Sequence, residues 1–317
     1  MKESSDISVL TRNPLVSVVT PSYNALPFII DTIKSVQLQD YPTIEHIVID
    51  GSSVDGTREV LKQHPHLIWI SEPDKGQSEA INKGFRMARG EIIGWLNADD
   101  TYRPGAVSCA VEYLQAHPDV DLVYTDVQMI DEHDQPVRLA RSGPFSFEEI
   151  LINNMVKQPT IFMRKKVIDS LGGVDEDLHY VMDYEFWLRA GRLFNLQYLP
   201  GEIFANFRYC RGTKSYEETD AFHQEWMRVL DDLQEYPDWS EEIRLKVKRA
   251  KQLATREYYF ALVVQASHNG KKVESISYFL RAISSDWKSI FQTGVWKLFI
   301  RSFTKKSIFP TDERSKS

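Results

Sequence analysis

The sequence predicts an α/β protein: a mostly parallel sheet flanked by helices, followed by a helical C-terminal extension. Three observations lead there. From Leu15 to about Asp220, short apolar runs alternate with amphipathic stretches of helical length, the pattern of strands joined through helices. The first four runs each end in a polar, turn-forming cluster, where an open parallel sheet builds its crevice. Beyond Asp220 the strand signal stops and charged, aromatic helical periodicity takes over. The expected organisation is a tail over residues 1–14, an α/β domain over 15–220 and a helical extension over 221–317.

Taken in order, "LVSVVTPSYN" reads as the first strand, and the amphipathic stretch Phe28–Gln39 as the first helix. "IEHIVIDGSS" is the second strand, a helix spans about Asp55–Gln63, and "LIWISEPDKG" is the third strand. A helix near Gln77–Arg89 leads into "EIIGWLNADD", whose apolar run Ile92–Leu96 is a short buried strand. After Arg103-Pro104-Gly105 come a helix to about His117 and the strand "VDLVYTDVQMID". "QPTIFMRKKVIDSLGG" then supplies a strand and a short helix closed by Gly172-Gly173, with a further helix running through Trp187.

Composition narrows the function. The 317 residues are 42% hydrophobic and 26% charged, as in ordinary globular proteins, and the formal net charge of −7 argues against general nucleic-acid binding. The N-terminus lacks the apolar stretch of a signal peptide, and no run is long enough to span a bilayer, so the expected location is cytoplasmic. Two cysteines, Cys109 and Cys210, cannot build a disulfide framework or a multi-cysteine metal site. His64 and His66 flank a proline without the spacing of a helical metal pair, and read as surface loop.

The chemistry lies at the strand ends. Adjacent Asp99 and Asp100 repel each other unless a cation intervenes, and a hard divalent ion prefers such oxygen ligands. On the residues alone the pair reads first as the cap of the following turn. The polar clusters Thr20–Asn24, Asp50–Ser53 and Glu72–Gly76 at the preceding strand ends favour the cation. Asp183, at the start of a helical stretch, reads equally as a helix N-cap or as a general base.

Taken together, "VSVVTPSYN", "IVIDGSSVDGT", "SEPDKGQSEAINKGF", "GWLNADD" and "GGVDEDLHYVMDYEFWLR" resemble the inverting GT-A glycosyltransferases of family 2 over residues 15 to 215, in order and spacing. That resemblance implies a Rossmann-like GT-A domain moving a sugar from a nucleotide-diphosphate donor, a UDP-sugar foremost, to a glycan or lipid-linked acceptor in polysaccharide biosynthesis. It implies that Thr20, Pro21 and Tyr23 border the base, Asp50 lies beside it, and Asp74 and Lys75 share the nucleotide pocket. Asp99 would lie near the ribose and Asp100 on the Mn²⁺ or Mg²⁺ that holds the diphosphate. In the loop "NFRYCRGTKS", the cations Arg208, Arg211 and Lys214 read equally as neutralising phosphate charge or as a solvated basic loop. Asp183 stands where the family's base sits, with Glu185 second; Asp175 and Glu176 would shape its loop, and Trp187 belongs to the core.

Three positions depart from the family pattern. Gly51 stands where a second acid often follows Asp50, Met182 replaces the acid before the base, and Cys210 falls where a histidine is common. These departures keep a rival open, a nucleotide-sugar binding protein without transfer activity. A nucleotidyltransferase would need a Gly-rich basic loop after the first strand, which "TPSYNALPF" does not supply. In the extension, "WKSIFQTGVWKLFIRSFTKKSIF", residues 287–309, mixes aromatics and cations without an acid, a composition suited to the inner face of an anionic membrane.

Overall fold

Val16–Ser22 (β1) is buried along its whole length because strands flank it on both sides, Ile44–Asp50 (β2) and Ile92–Trp95 (β4), each parallel to it. The computed structural model of the chain describes residues 13–152, 154–210, 219–234 and 239–287. Ile68–Ser71 (β3) continues the parallel series outside β2. The register aligns Ser22 with Asp50 and Asp50 with Ser71, so the polar C-terminal ends of these strands form one edge.

Helices cover both faces. Ile29 and Ile33 of Ile29–Gln37 (α1) and Leu61 of Thr57–Lys62 (α2) pack with Val48 and Ala98 on one face. Ala106–Ala116 (α4) extends that layer over Val16, Val18 and Ile92. Gln77–Met87 (α3) covers the other face, close enough for Gly84 to sit against Val19 and Ile49. Trp95 joins this layer, touching Phe85 and Trp187, which is fully buried as the sequence reading places it.

Beyond β4 the sheet turns mixed. Thr101–Tyr102 (β5), Leu122–Ile130 (β6), Pro136–Ala140 (β7), Phe162–Arg164 (β8) and Leu196–Arg208 (β9) complete nine strands in the order β3-β2-β1-β4-β8-β6-β9-β5, with β7 on β6. The pairs β4/β8, β6/β8, β6/β7 and β5/β9 are antiparallel, and β6/β9 is parallel. Three of these strands lack a sequence signature. β5 is only two residues long. β7 is polar and exposed at its start, and β9 carries Pro200-Gly201 in its interior.

Phe147–Ile150 (α5), Lys165–Leu171 (α6) and Met182–Leu193 (α7) belong to the same unit. The chain divides into two compact units, Met1–Ile150 with Asn154–Cys210, and Leu151–Asn153 with Arg211–Ser317. The second contains Thr219–Gln234 (α8), Glu241–His268 (α9) and Lys272–Ser285 (α10). Phe260 and Val263 of α9 pack with Phe279 and Ala282 of α10, and Asp286 receives both Arg249 and Arg256. None of the described helices is long and apolar enough to cross a membrane. Of the segment 287–309, Trp287 is exposed and residues 288–309 lie outside the described residues.

Candidate active site

The loops after β1 and β2 clasp each other. The Asn24 N–H donates to Ser53 Oγ (2.7 Å), the Val54 N–H to Asn24 Oδ1 (2.9 Å) and the Leu26 N–H to Asp55 Oδ2 (2.9 Å). Asn24 and Ser52 both hold positive φ, 47° and 61°, a strained backbone of the kind that collects at binding sites. Within the clasp Asp50 is fully buried, its carboxylate accepting from the Ser53 N–H (3.0 Å), the Ser53 hydroxyl and Ser71 Oγ (2.6 Å).

Gly51 has a local reason. A Cβ there would stand 2.8 Å from Asp74 Oδ2, so the Asp74 carboxyl lies against the space a second acid's side chain would need. Burial raises the Asp74 pKa above the usual carboxylate range, with Glu79 and Asp50 adding to the rise. The Asp74 Oδ1 accepts the Gly76 N–H (3.0 Å). The Lys75 side chain is exposed and Tyr23 is 68% exposed, both at the rim. Thr20 is different: its buried hydroxyl contacts His46 Nε2 (2.9 Å), so its side chain serves the sheet. Burial pushes His46 down to about 3, which keeps it neutral.

The turn after β4 is built around Asp100. Its side chain is fully buried, Oδ1 accepts the Arg208 N–H (2.9 Å), and Oδ2 has no hydrogen-bond partner among the described residues. Thr32 of α1 holds the turn from beneath, its hydroxyl contacting both Ala98 O (2.9 Å) and Asp100 O (2.8 Å). Burial and the neighbouring Asp99 charge raise the Asp100 pKa well above the ordinary carboxylate value. An uncompensated buried carboxylate oxygen is costly, and a hard cation would satisfy it. Among the described residues no three His, Cys, Asp or Glu side chains gather to hold a metal unaided. The donor set therefore fits a cation that takes its remaining ligands from a diphosphate and water.

Arg208 lies on β9 rather than in the loop expected from the sequence. Its guanidinium is 1% exposed and donates to Asp99 O (3.0 Å), Asp131 O (2.8 Å) and Asp134 Oδ1 (2.7 Å), with Phe28 stacked on it at 4.4 Å. Its present role is to brace the Asp99-Asp100 turn. Cys210, two residues on, is buried, and burial raises its thiol pKa.

Asp183 lies in the first turn of α7, but Val181 is the N-cap, so the capping reading of Asp183 does not describe this helix. One carboxylate oxygen accepts the Tyr184 N–H (2.7 Å); the other meets Asn154 Nδ2 at 3.5 Å. Burial lifts its pKa to about 6, against the lowering effects of those contacts and of Lys157. Glu185, the second candidate, is committed to Arg189 at 2.6 and 2.7 Å. Arg189 also donates to Leu171 O and Gly173 O (both 2.8 Å), tying α7 to the loop before it.

That loop is anchored on α3 by Asn82. Its Nδ2 donates to Val174 O (2.9 Å) and Glu176 Oε1 (3.0 Å), and its Oδ1 accepts the Val174 N–H (2.9 Å). Gly173, at φ 92°, leaves no room for a Cβ beside Asn82. The two acidic centres are linked by the segment Asn154–Thr160. Asn154 meets Asp183 at one end, and Gln158 Oε1 accepts from Asn97 Nδ2 (3.0 Å) at the other. Thr32, Asn82, Asn154, Lys157 and Gln158 are absent from the sequence reading. Thr32 and Asn82 had a signal, each as a polar residue on the buried face of an amphipathic helix.

A sheet whose parallel strand ends gather polar and acidic side chains beside the Asp99-Asp100 turn, with Asp183 across a bridging segment, is the arrangement expected of a GT-A type fold. The family model described as glycosyl transferase family 2 matches residues 17–172, and an uncharacterized glycosyltransferase of Mycobacterium tuberculosis (strain CDC 1551 / Oshkosh) is 34% identical over 190 residues, covering 57% of this chain and 70% of that protein. The chain belongs to glycosyltransferase family 2. It is also 28% identical to the chondroitin synthase of Escherichia coli over 196 residues, 61% of this chain but only 29% of that protein's length. Among solved structures, S. aureus TarS 1–349 in complex with UDP-GlcNAc matches at a TM-score of 0.61 and 15% identity, over 87% of this chain and 92% of that one. The mannosyltransferase PcManGT from Pyrobaculum calidifontis, in complex with GDP-Man and Mn²⁺, matches at 0.59 and 17%, over 92% and 86%. These structural likenesses establish the GT-A fold.

Proposed function

We propose that the protein is a metal-dependent, inverting glycosyltransferase that moves a sugar from a nucleotide-diphosphate donor, a UDP-sugar first, to a glycan or lipid-linked acceptor. The observation that carries this reading is Asp183. A half-buried carboxyl with a pKa near 6, oriented by Asn154, can take the proton of an acceptor hydroxyl as it attacks the anomeric carbon. One displacement then suffices, with inversion and no covalent intermediate.

Asp50, Asp74 and the loop clasp would hold the nucleoside, and Asp100, with Asp99 beside it, would hold Mn²⁺ or Mg²⁺. The cation would stabilise the leaving diphosphate as a Lewis acid. Arg208 contributes by fixing the turn, and Lys75 offers an exposed cation at the rim. The complexes of TarS with UDP-GlcNAc and of PcManGT with GDP-Man and Mn²⁺ support a donor of this class.

Calorimetric titration with UDP, GDP, dTDP and CDP, each with Mn²⁺ and with chelator, tests the donor half. Metal-dependent binding of one nucleotide is expected. Binding with neither transfer nor donor hydrolysis would favour the non-catalytic alternative, and binding of none would remove the reading. The aromatic, basic segment 287–309 supports a peripheral contact with the membrane's inner face. The full chain should then sediment with anionic vesicles and a chain ending at Asp286 should not; equal sedimentation would eliminate the contact.

A further inference from the structure

Beside Asp183 lies a group of cations that the transfer chemistry does not use. Lys157 Nζ donates to Asn154 O (2.8 Å), and Asn154 in turn meets Asp183, so the ammonium sits one residue from the base. It lies close enough to Asp183, Arg138 and Asp126 to feel all three charges. Arg138 is on β7, which pairs with β6 through Met129↔Arg138, and its guanidinium is exposed and makes no ion pair among the described residues.

These cations exceed the acids around them. Asp126 is already satisfied by Arg141 Nη1 (3.2 Å), the Ser142 N–H (2.8 Å) and the Tyr198 hydroxyl (2.8 Å). Of the two acids that act on Lys157, that leaves Asp183 to balance it against Arg138, and Asp183 becomes neutral whenever it carries the proton it removes. Burial holds the Lys157 pKa below the ordinary lysine value despite both acids, the mark of a cation short of counter-charge. The side-chain Oδ1 of Asn154 is buried without a partner among the described residues, an open acceptor beside the same spot. A polar group with a hydroxyl to donate would satisfy it.

We propose that Lys157 and Arg138 form an anion subsite on the acceptor side of Asp183, and that the acceptor glycan carries a carboxylate or phosphate next to its attacking hydroxyl. This rests on the assignment of Asp183 as the base. A paired ammonium and guanidinium would fix the register of a charged sugar, so that only the neighbouring hydroxyl reaches Asp183. A neutral glycan would leave both cations unmatched and bind more weakly.

The test is acceptor-side binding to the full chain saturated with its nucleotide diphosphate and Mn²⁺. The probes are a hexasaccharide of alternating glucuronate and N-acetylglucosamine, its carboxyl-reduced counterpart, maltohexaose, and phosphorylated maltohexaose. One charged oligosaccharide is expected to bind at least about tenfold more tightly than its neutral partner, a difference that Lys157→Gln with Arg138→Gln removes. Nucleotide affinity, which does not involve these residues, should stay unchanged in that variant and shows that it is folded. Which charged probe binds tells carboxylate from phosphate. Equal affinity for charged and neutral probes, binding of none, or full retention in the double variant overturns the subsite. Each of these outcomes leaves the nucleotide titration standing; failure of the parent chain to bind any nucleotide overturns the transfer reading and the subsite together.

Discussion

Asp183→Asn is expected to bind nucleotide and metal like the parent chain and to lose transfer by roughly 10²–10⁴-fold, the usual contribution of a general base. Asparagine keeps the shape and one acceptor oxygen for the Tyr184 N–H, turns a donor toward Asn154, and cannot accept a proton. In the parent chain the rate should rise with pH through about 6 and level off above it, because only the ionised carboxyl is a base. The variant's residual rate should lose that inflection. Stability supplies an independent reading. The folded carboxyl binds its proton more tightly than the unfolded one, so the group opposes folding above about pH 6 and the cost fades as pH falls toward 4. At pH 7 the substitution should therefore leave the melting temperature unchanged or raise it, the gain in unfolding free energy being at most about 3 kcal/mol for a shift of this size. Near-normal turnover in the variant would refute the base assignment, and a variant both inactive and strongly destabilised would recast Asp183 as structural.

How far this site can be read without a structure depends on where each signal resides. β1, β2 and β4 are legible because buried parallel strands are continuous apolar runs, half-buried β3 keeps an apolar run over residues 68–70, and the polar ends of all four identify the crevice. Asp50, Asp74, Asp99, Asp100 and Asp183 are legible as motif residues in order. What does not show is their support. Thr32 reaches the Asp100 turn from 68 residues away, Asn82 holds a loop 92 residues on, and Arg208 closes over Asp99 from a strand interrupted by Pro200-Gly201. Such contacts follow from tertiary packing and leave no local periodicity. β7 is hidden for the opposite reason: its exposed edge carries polar residues and lacks a buried face to produce alternation. The departures at Gly51 and Met182 also change meaning once seen in place. Gly51 makes room for Asp74, and Met182 is a buried residue of α7, so neither removes a polar group that the described residues call for.

Asp100→Ala is expected to abolish the metal-dependent part of nucleotide binding while the fold survives. In the parent chain Asp100 has one oxygen committed to the Arg208 N–H and one without a partner among the described residues, under burial and beside the Asp99 charge. Such a carboxylate is strained toward protonation unless a cation shares it, so bound Mn²⁺ should lower its pKa and stabilise the chain. Three measurements follow from that arrangement. Mn²⁺ with UDP should raise the parent melting temperature, and chelator should reverse the rise. The variant should show neither shift, and its nucleotide affinity with Mn²⁺ should fall to the parent's value in chelator. Without metal, the variant removes a buried charge but also strands the Arg208 N–H, so its stability should move little, each contribution being of order 1–3 kcal/mol. Asp99→Ala separates the two acids. Asp99 is only half-buried and lends its backbone carbonyl to Arg208, so its loss should weaken metal-dependent binding less than the loss of Asp100. Equal loss in both variants would show that the cation is shared symmetrically between the carboxylates, and metal-dependent binding retained in Asp100→Ala would move the cation to other ligands.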